Sequence, residues 1–351
     1  MPEQILGLIP QEEWLDVGVS VSRPNDPLDA LIGDERTNNI MACWQSIAAE
    51  YQTPIMANFH GFDTEANTTF RAPVDTHHIE KGLIKVKLNQ SERLRALMRS
   101  GVREGELKEY VLQDGVRLAD QVATRSKVAK AEMLATGKMT IKENHLDLTV
   151  DYGVPEEQLA LELDLSPEAD VHGQLQELSG KAEDKGVSLT GLVTSRRCLA
   201  KLRQNKTVQA LINGGLGAGL VSRAALEQYL ADEFGITTVV TDDLSYGVDG
   251  GMDESGRPIV TRKRYYPEDK ISFFAANGAG RVGVGLWGDP PEAELTGWYA
   301  TAAGGSCPYV YVTQKMEWDP AVLWTKASGL FIPLLYNPNG LWVASVKADK
   351  V

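Results

Sequence analysis

The amino-acid sequence predicts an α+β fold organised around a single long helix. Three observations carry that expectation. A helical pattern runs without a break from about Glu104 to Thr136. Extended segments in which apolar and polar residues alternate flank it on both sides. Between residues 166 and 281 short helices and short strands alternate, with no repeat at a fixed period. The chain has 351 residues, 43% of them hydrophobic, enough for one large domain or two of ordinary size.

The first 50 residues are loosely organised. Pro10, Pro24 and Pro27 punctuate them, and Trp14, Leu15, Val17, Val19 and Val21 form short strand-like pieces. Nothing there reads as a packed core, and the segment is expected to be an arm lying along something else. Residues 51–90 read as a long excursion of extended chain. Ile55 to Phe62 is apolar, turn material follows, and Ile84, Val86 and Leu88 alternate with Lys85, Lys87 and Asn89. A long hairpin with few core-sized residues is not stable alone, and its free edges need a partner. Phe59, Phe62 and Phe70 are the candidate anchors of such a contact.

A helical piece begins at Ser91 and is interrupted near Gly101. The longest helix follows, with Leu107, Val111, Leu118, Val122, Ala129 and Met133 on one face and Gly137 as its stop. At ~1.5 Å rise per residue it spans on the order of 50 Å, the length of a strut crossing the subunit. Leu146, Leu148, Val150 and Tyr152 then alternate with polar residues as a strand.

Ser166-Pro167-Glu168 is expected to open a helix that runs to Asp184, with Ser as cap and Pro in the first turn. Val187–Thr194 reads as a strand, Ser195–Arg203 and Arg223–Phe234 as helices, and Ile236–Thr241 as a β-branched strand. Tyr246–Tyr266 is a glycine-rich hairpin. Strands are expected over Ile271–Ala276, Arg281–Trp287, Tyr309–Thr313, Gly329–Leu335 and Leu341–Val346, the last two joined by an Asn337-Pro338-Asn339-Gly340 turn.

Chemistry is scarce. The strongest enzyme signal is Gly214-Gly215-Leu216-Gly217-Ala218-Gly219, after apolar Val208–Ile212 and before the helix at Arg223, with Asp242 and Asp243 beyond. It imitates a turn whose backbone N–H groups approach a pyrophosphate. A glycine-rich hairpin follows Asp242 where a doubly wound sheet needs another βα unit, so the plainer reading is a flexible loop between two helices. His77 and His78 beside Glu80 invite a metal, but adjacent strand residues point to opposite faces. Asp249–Glu254 lacks the alternating oxygen ligands of a calcium loop. Glu156-Glu157 has no partner that marks an acid/base pair. Cys43, Cys198 and Cys307 have neither metal nor redox spacing and read as small packing residues. The expectation is therefore no enzyme, no catalytic residue, no metal and no cofactor, with a nucleotide-binding enzyme using residues 214–219 as the alternative.

The net charge is −13, which argues against a protein that grips nucleic acid. The sign is uneven. Residues 83–142 hold 13 Lys/Arg against 7 Asp/Glu, and residues 150–185 hold 2 against 10. These are two solvated faces or, on a sharper reading, surfaces that meet between copies. No apolar run approaches the ~20 residues that span a bilayer. The acidic start, Met1-Pro2-Glu3-Gln4, is unlike a secretory signal, so a soluble protein made in a cytoplasm is expected.

One pattern carries more. Ala129-Lys130-Ala131-Glu132-Met133-Leu134-Ala135-Thr136-Gly137-Lys138 leads into Met139-Thr140-Ile141, then Thr149-Val150-Asp151-Tyr152-Gly153-Val154-Pro155. A long helix ending in Thr-Gly-Lys, a short strand and this second segment resemble the major capsid protein E family of lambda-like tailed phages. Phe70-Arg71-Ala72-Pro73-Val74 upstream and the tail with Pro333, Leu334, Leu335 and Tyr336-Asn337-Pro338 follow in the family's order. The resemblance implies the Johnson fold of tailed-phage and herpesvirus capsids. On it, residues 1–50 are an N-terminal arm, 51–90 an extended E-loop, 91–165 a P-domain with its spine helix, 166–281 an A-domain, and 282–351 return strands of both domains. It implies a major capsid protein that self-assembles into the icosahedral head shell enclosing the phage genome; another virion structural protein is the neighbouring alternative. The expected partners are further copies in hexamers and pentamers, a portal, a decoration protein and a separate scaffolding protein, since no helical leader precedes the arm. No specific nucleic-acid binding and no membrane are expected. Its places are the virion capsid and, before assembly, the host cytoplasm.

Overall fold

A computed structural model describes residues 26–46, 75–90, 104–143, 146–214, 219–253, 257–291, 309–319 and 321–347, with Ser255 and scattered positions between 56 and 73. Two five-stranded sheets, each with its own core, organise these residues.

The first sheet is built on the 15-residue strand β15 (Ala321–Leu335). One side of β15 pairs antiparallel with β14 (Tyr311–Trp318) along its first half and with β13 (Gly283–Gly288) along its second. The other side pairs with β4 (Gly82–Gln90). Beyond β13 lies β1 (Ile32–Arg36), in parallel. Helix α1 (Glu104–Thr136) lies on this sheet as expected. Leu118, Val122, Ala129 and Met133 are buried in one cluster with Phe331, Ile332 and Leu334.

The second sheet has the order β7-β16-β12-β8-β9. Its strands are β7 (Leu161–Leu163), β8 (Gly191–Thr194), β9 (Thr238–Thr241), β12 (Lys270–Phe274) and β16 (Leu341–Val346). Between β7 and β8 runs α3 (Val171–Asp184). Between the parallel strands β8 and β9 run α4 (Arg196–Gln204), α5 (Lys206–Ile212) and α6 (Arg223–Phe234). A crossover through helices is what a parallel pair requires. Leu175, Leu199, Leu226 and Leu230 of these helices bury against Leu192, Ile271, Phe273 and Trp342 of the sheet.

The sheets meet at the C-terminal end of α1, where its last carbonyls lack helical partners. Lys270 Nζ donates to Ala135 O at 2.8 Å and Ser272 Oγ to Leu134 O at 2.6 Å, both from β12. A cation there also suits the helix dipole.

Three antiparallel hairpins stand apart from the sheets: β2 (Met41–Ser46) with β3 (Asp75–Glu80), β5 (Lys138–Glu143) with β6 (Leu146–Asp151), and β10 (Ser245–Met252) with β11 (Pro258–Arg264). A short helix α2 (Glu156–Leu159) follows β6.

Several local expectations are corrected. The helix ending at Asp184 starts at Val171, not after Ser166, because Asp170 takes the cap: its carboxylate accepts from Gly173 N. The apolar run Val208–Ile212 is helical and the next helix begins at Arg223, which agrees with the plainer reading of helices on both sides of residues 214–219. Leu28, Leu31 and Ile32, in the stretch expected to hold no packed core, are among the most deeply buried side chains of the chain. Cys43 is exposed, while Cys198 is buried as expected, with burial pushing its thiol pKa up. Phe70, Gly217, Cys307, the Ser91 helical piece and residues 1–25 lie outside the described residues.

Candidate assembly surfaces and the residues that hold them

The Thr-Gly-Lys and Tyr-Gly-Val segments form one built junction. Gly137 has φ 66°, a left-handed conformation that closes α1, and its N–H donates to Met133 O. A Cβ at Gly137 would stand 3.0 Å from Leu159 Cδ2 and 3.1 Å from Val154. Thr136 Oγ1 donates to Glu132 O within the last turn. On the returning strand Asp151 accepts from Gly153 N, with Gly153 again left-handed at φ 76°. Tyr152 is fully buried between them and its hydroxyl donates to Pro333 O of β15 at 2.7 Å. Burial drives that phenol pKa far up, so it stays a donor. The junction ties the hairpin β5–β6 and the end of α1 to the central sheet strand.

The segment around β1 is fixed by lysines of α1. Lys130 is 2% exposed, and its ammonium lies 3.0 Å from Asp29 and 2.9 Å from Asp34. Burial alone would lower its pKa, but the two carboxylates outweigh it and the pKa sits above the ordinary lysine value. Asp34 goes the other way: its burial outweighs Lys130 and raises its pKa. One turn earlier, Lys127 holds Asp26 at 2.9 Å and Asp242 at 3.6 Å, with its ammonium over the Tyr265 ring. The basic stretch 83–142 is thus neutralised in part from within the subunit, by residues 26–34, by Asp242, and at its end by Asp151, which takes Lys138 at 2.7 Å.

The root of the β2–β3 hairpin is likewise pinned. Lys81, buried between β3 and β4, donates to Thr37 O at 3.0 Å, to Thr37 Oγ1 at 2.5 Å and to Trp287 O at 3.2 Å. Burial lowers its pKa against the pull of Asp289. Arg36 holds Asp289 through two nitrogens, at 3.0 and 2.9 Å, and Tyr311 donates to the same carboxylate at 2.7 Å. Burial would raise the Asp289 pKa; Arg36 and Tyr311 bring it below the usual carboxylate range. Beyond this anchored root, Met56, Phe59 and Phe62 are 83%, 106% and 100% exposed. Phe59 and Phe62 are thus large apolar side chains open to solvent.

The candidates for chemistry are used structurally. Asp242, which would have to face a ribose, is fully buried; its carboxylate accepts from Leu244 N and faces Lys127. Asp243 binds Arg196 and Arg264. His77 stacks on Trp44 at 5.0 Å and His78 lies 2.9 Å from Cys43 Sγ, on opposite faces of β3. Glu157 pairs with Lys185. Among the described residues no three His, Cys, Asp or Glu side chains gather as metal ligands, and no helix is long and apolar enough to cross a membrane.

The lysine pairs and the exposure of the β10–β11 hairpin were not anticipated. The only sequence signal for the first was Lys127 and Lys130 standing next to Ala129, Ala131 and Met133, on the buried side of the helix.

Comparison with known proteins gives one family. Residues 85–346 match the family model of phage major capsid protein E. No curated protein sequence matches the chain. Solved structures it is similar to include a virus-like particle from Pyrococcus furiosus (14% identity, 95% of this chain and 98% of that one, TM-score 0.46). A phage-related protein from Bordetella bronchiseptica RB50 follows (9%, 95% and 96%, TM-score 0.49). The mature capsid of bacteriophage PhiM1 is another (8%, 93% and 89%, TM-score 0.48). The family match spans well over half of the chain and contains the junction that first suggested it. The chain therefore belongs to the phage major capsid protein E family, an α+β subunit that builds the capsid shell of the virion.

Proposed function

We propose that the subunit joins its neighbours in an icosahedral shell of hexamers and pentamers through the loop within residues 51–90, with Phe59, Phe62 and Phe70 as anchors on the adjacent copy. The observation that carries this is the full exposure of Phe59 and Phe62 beyond a hairpin root held by Lys81. Burying an aromatic side chain of this size is worth roughly 1.5–3 kcal/mol, so two of them suffice for a modest contact repeated many times over a shell. In this reading residues 1–50 are the arm, 91–165 the P-domain, 166–281 the A-domain and 282–351 their return strands; the two separate cores support the division. Deleting Gly61–Phe70 should leave a folded, soluble subunit that no longer assembles. A deletion that unfolds the subunit would make the loop part of the core and end the proposal.

The shell role is filled without catalysis: the reading assigns the subunit no reaction, no cofactor and no nucleotide at residues 214–219. Calorimetry with nucleotide at millimolar concentration should give no saturable heat, and a saturable signal would favour the enzyme alternative. A separate scaffolding protein, a portal and a decoration protein are its further partners, met in the host cytoplasm before the virion is complete. The net charge of −13 supports a wall that leaves its DNA mobile. A mobility shift with duplex DNA at about 0.1 M salt should show no binding below micromolar concentration, and tighter binding would contradict the passive wall.

A further inference from the structure

The sheet built on β15 has two unlike faces. Residues directly opposite in an antiparallel pair share a face, so the register sorts them. Ile84, Val86, Ala327, Phe331 and Val312 lie on the side of α1 and join its core. The other face carries Lys85 and Lys87 of β4, Trp324 and Lys326 of β15, and Thr313 and Lys315 of β14. Lys87 stands directly opposite Lys326. Lys85 follows on the same strand, about 7 Å along it, and Lys315 lies opposite Trp324. Lys85 and Lys87 are exposed, and Lys315 is 76% exposed.

Like charges directly opposite on a sheet are destabilising. The described acids near these four lysines are Glu317, which pairs with Lys315 at 3.5 Å, and Asp319 at the turn beyond β14. Among the described residues no carboxylate holds Lys85 or Lys87; the Lys87 ammonium lies over the Trp324 ring at 4.2 Å. These two belong to the basic stretch 83–142, yet the subunit does not neutralise them as it does Lys127, Lys130 and Lys138. A fold that keeps such a face gains when anions cover it.

Carboxylates of an adjacent copy are a poor source. In the acid-rich stretch 150–185, Asp151, Glu157, Glu162, Glu168 and Glu177 are each held by a lysine of their own subunit. Duplex DNA presents negative charge alone, one per ~1.7 Å of its axis. The cations here are lysines, hydrated point charges that hold phosphate without the paired hydrogen bonds of arginine. Such contacts suit a wall against which DNA stays mobile.

We propose that Lys85, Lys87, Lys315 and Lys326 form a weak, sequence-independent seat for the phosphate backbone of duplex DNA. The proposal rests on the shell-forming role, which brings subunit and genome together.

Fluorescence anisotropy of a labelled duplex with the soluble subunit tests it. Three or four phosphates give a slope of log affinity against log salt of about −3 to −4. Binding should therefore be about 100-fold tighter at ~0.02 M salt than at ~0.1 M, where it stays weaker than micromolar. K85E/K87E should fold like the wild type by circular dichroism and melting. It should bind at least tenfold more weakly at ~0.02 M salt, with a slope shallower by about 2. K142E/K263E changes the net charge equally at two exposed lysines off this face, and should bind like the wild type. No binding by the wild type at ~0.02 M salt, or an equal loss in both double variants, would overturn the proposal. So would normal DNA binding by K85E/K87E; if those chains also form no particles, the face is a contact between subunits. Particle formation by the wild type with the proposed scaffolding protein is scored separately by sedimentation. Chains that bind DNA through these lysines yet form no particles would refute the shell role and not the phosphate seat.

Discussion

Replacing Lys130 by Met should destabilise the subunit in a pH-dependent way. The methionine keeps most of the lysine stem, so the packing beside the sheet is largely preserved and the lost term is the charge. Removing one partner of a fully buried pair costs about 3–5 kcal/mol. Here Asp29 is 58% exposed and rehydrates, so only Asp34, 27% exposed, is left stranded; the expected cost is about 2 kcal/mol. Burial already raises the Asp34 pKa above its unfolded value, and without Lys130 it rises further. A carboxyl with a raised folded pKa opposes folding above that pKa, and the opposition fades as pH falls toward the unfolded value near 4. The K130M deficit should therefore shrink on acidification, and adding Asp34→Asn should recover most of it at neutral pH. Urea unfolding of the soluble subunit, followed by tryptophan fluorescence, should show a midpoint lower by on the order of 0.5 M at pH 7. An unchanged midpoint, or a deficit that grows on acidification, would refute the assignment of Lys130 as the clamp on residues 29–34.

Three further outcomes are expected. Gly137→Ala places a side chain in a left-handed conformation 3.0 Å from Leu159, and should cost about 1–2 kcal/mol, read as a lower melting temperature. Tyr152→Phe strands the Pro333 carbonyl, and should cost about 1–2 kcal/mol in urea without changing the far-ultraviolet spectrum. Asp289 has a folded pKa below its unfolded value, so its contribution is present at neutral pH and lost as pH falls below about 4. Asp289→Asn should therefore be about 1 kcal/mol less stable at pH 7, with a deficit that shrinks as pH falls through the carboxylate range, by thermal melting across a series of pH values.

Elements held by local signals were legible in the sequence. The α1 boundaries follow from its apolar stripe and from Gly137, and α6 from the Ser222 cap and left-handed Gly235. Where two local signals competed, the nearer cap prevailed: Asp170 supplanted Ser166, whose own N–H is taken by Asp164. The first half of β15 was invisible because a strand between two others can carry polar residues; Thr325 and Ser328 are 2% and 0% exposed. The place of β1 was hidden for a different reason. Its partner β13 lies some 250 residues away, and Asp29 and Asp34 look like solvent residues until Lys130 is set against them. Of the proposed loop anchors, Phe59 and Phe62 were legible as apolar residues in a segment with no core pattern. The hairpin β10–β11 was legible as a hairpin; its freedom from both sheets is a property of the fold alone.

Shell building by this chain is tested most directly by electron microscopy of the protein co-expressed with the proposed scaffolding protein. Hollow particles made of rings of five and six subunits are expected. A persistent, monodisperse small oligomer that forms no particles under those conditions would contradict it.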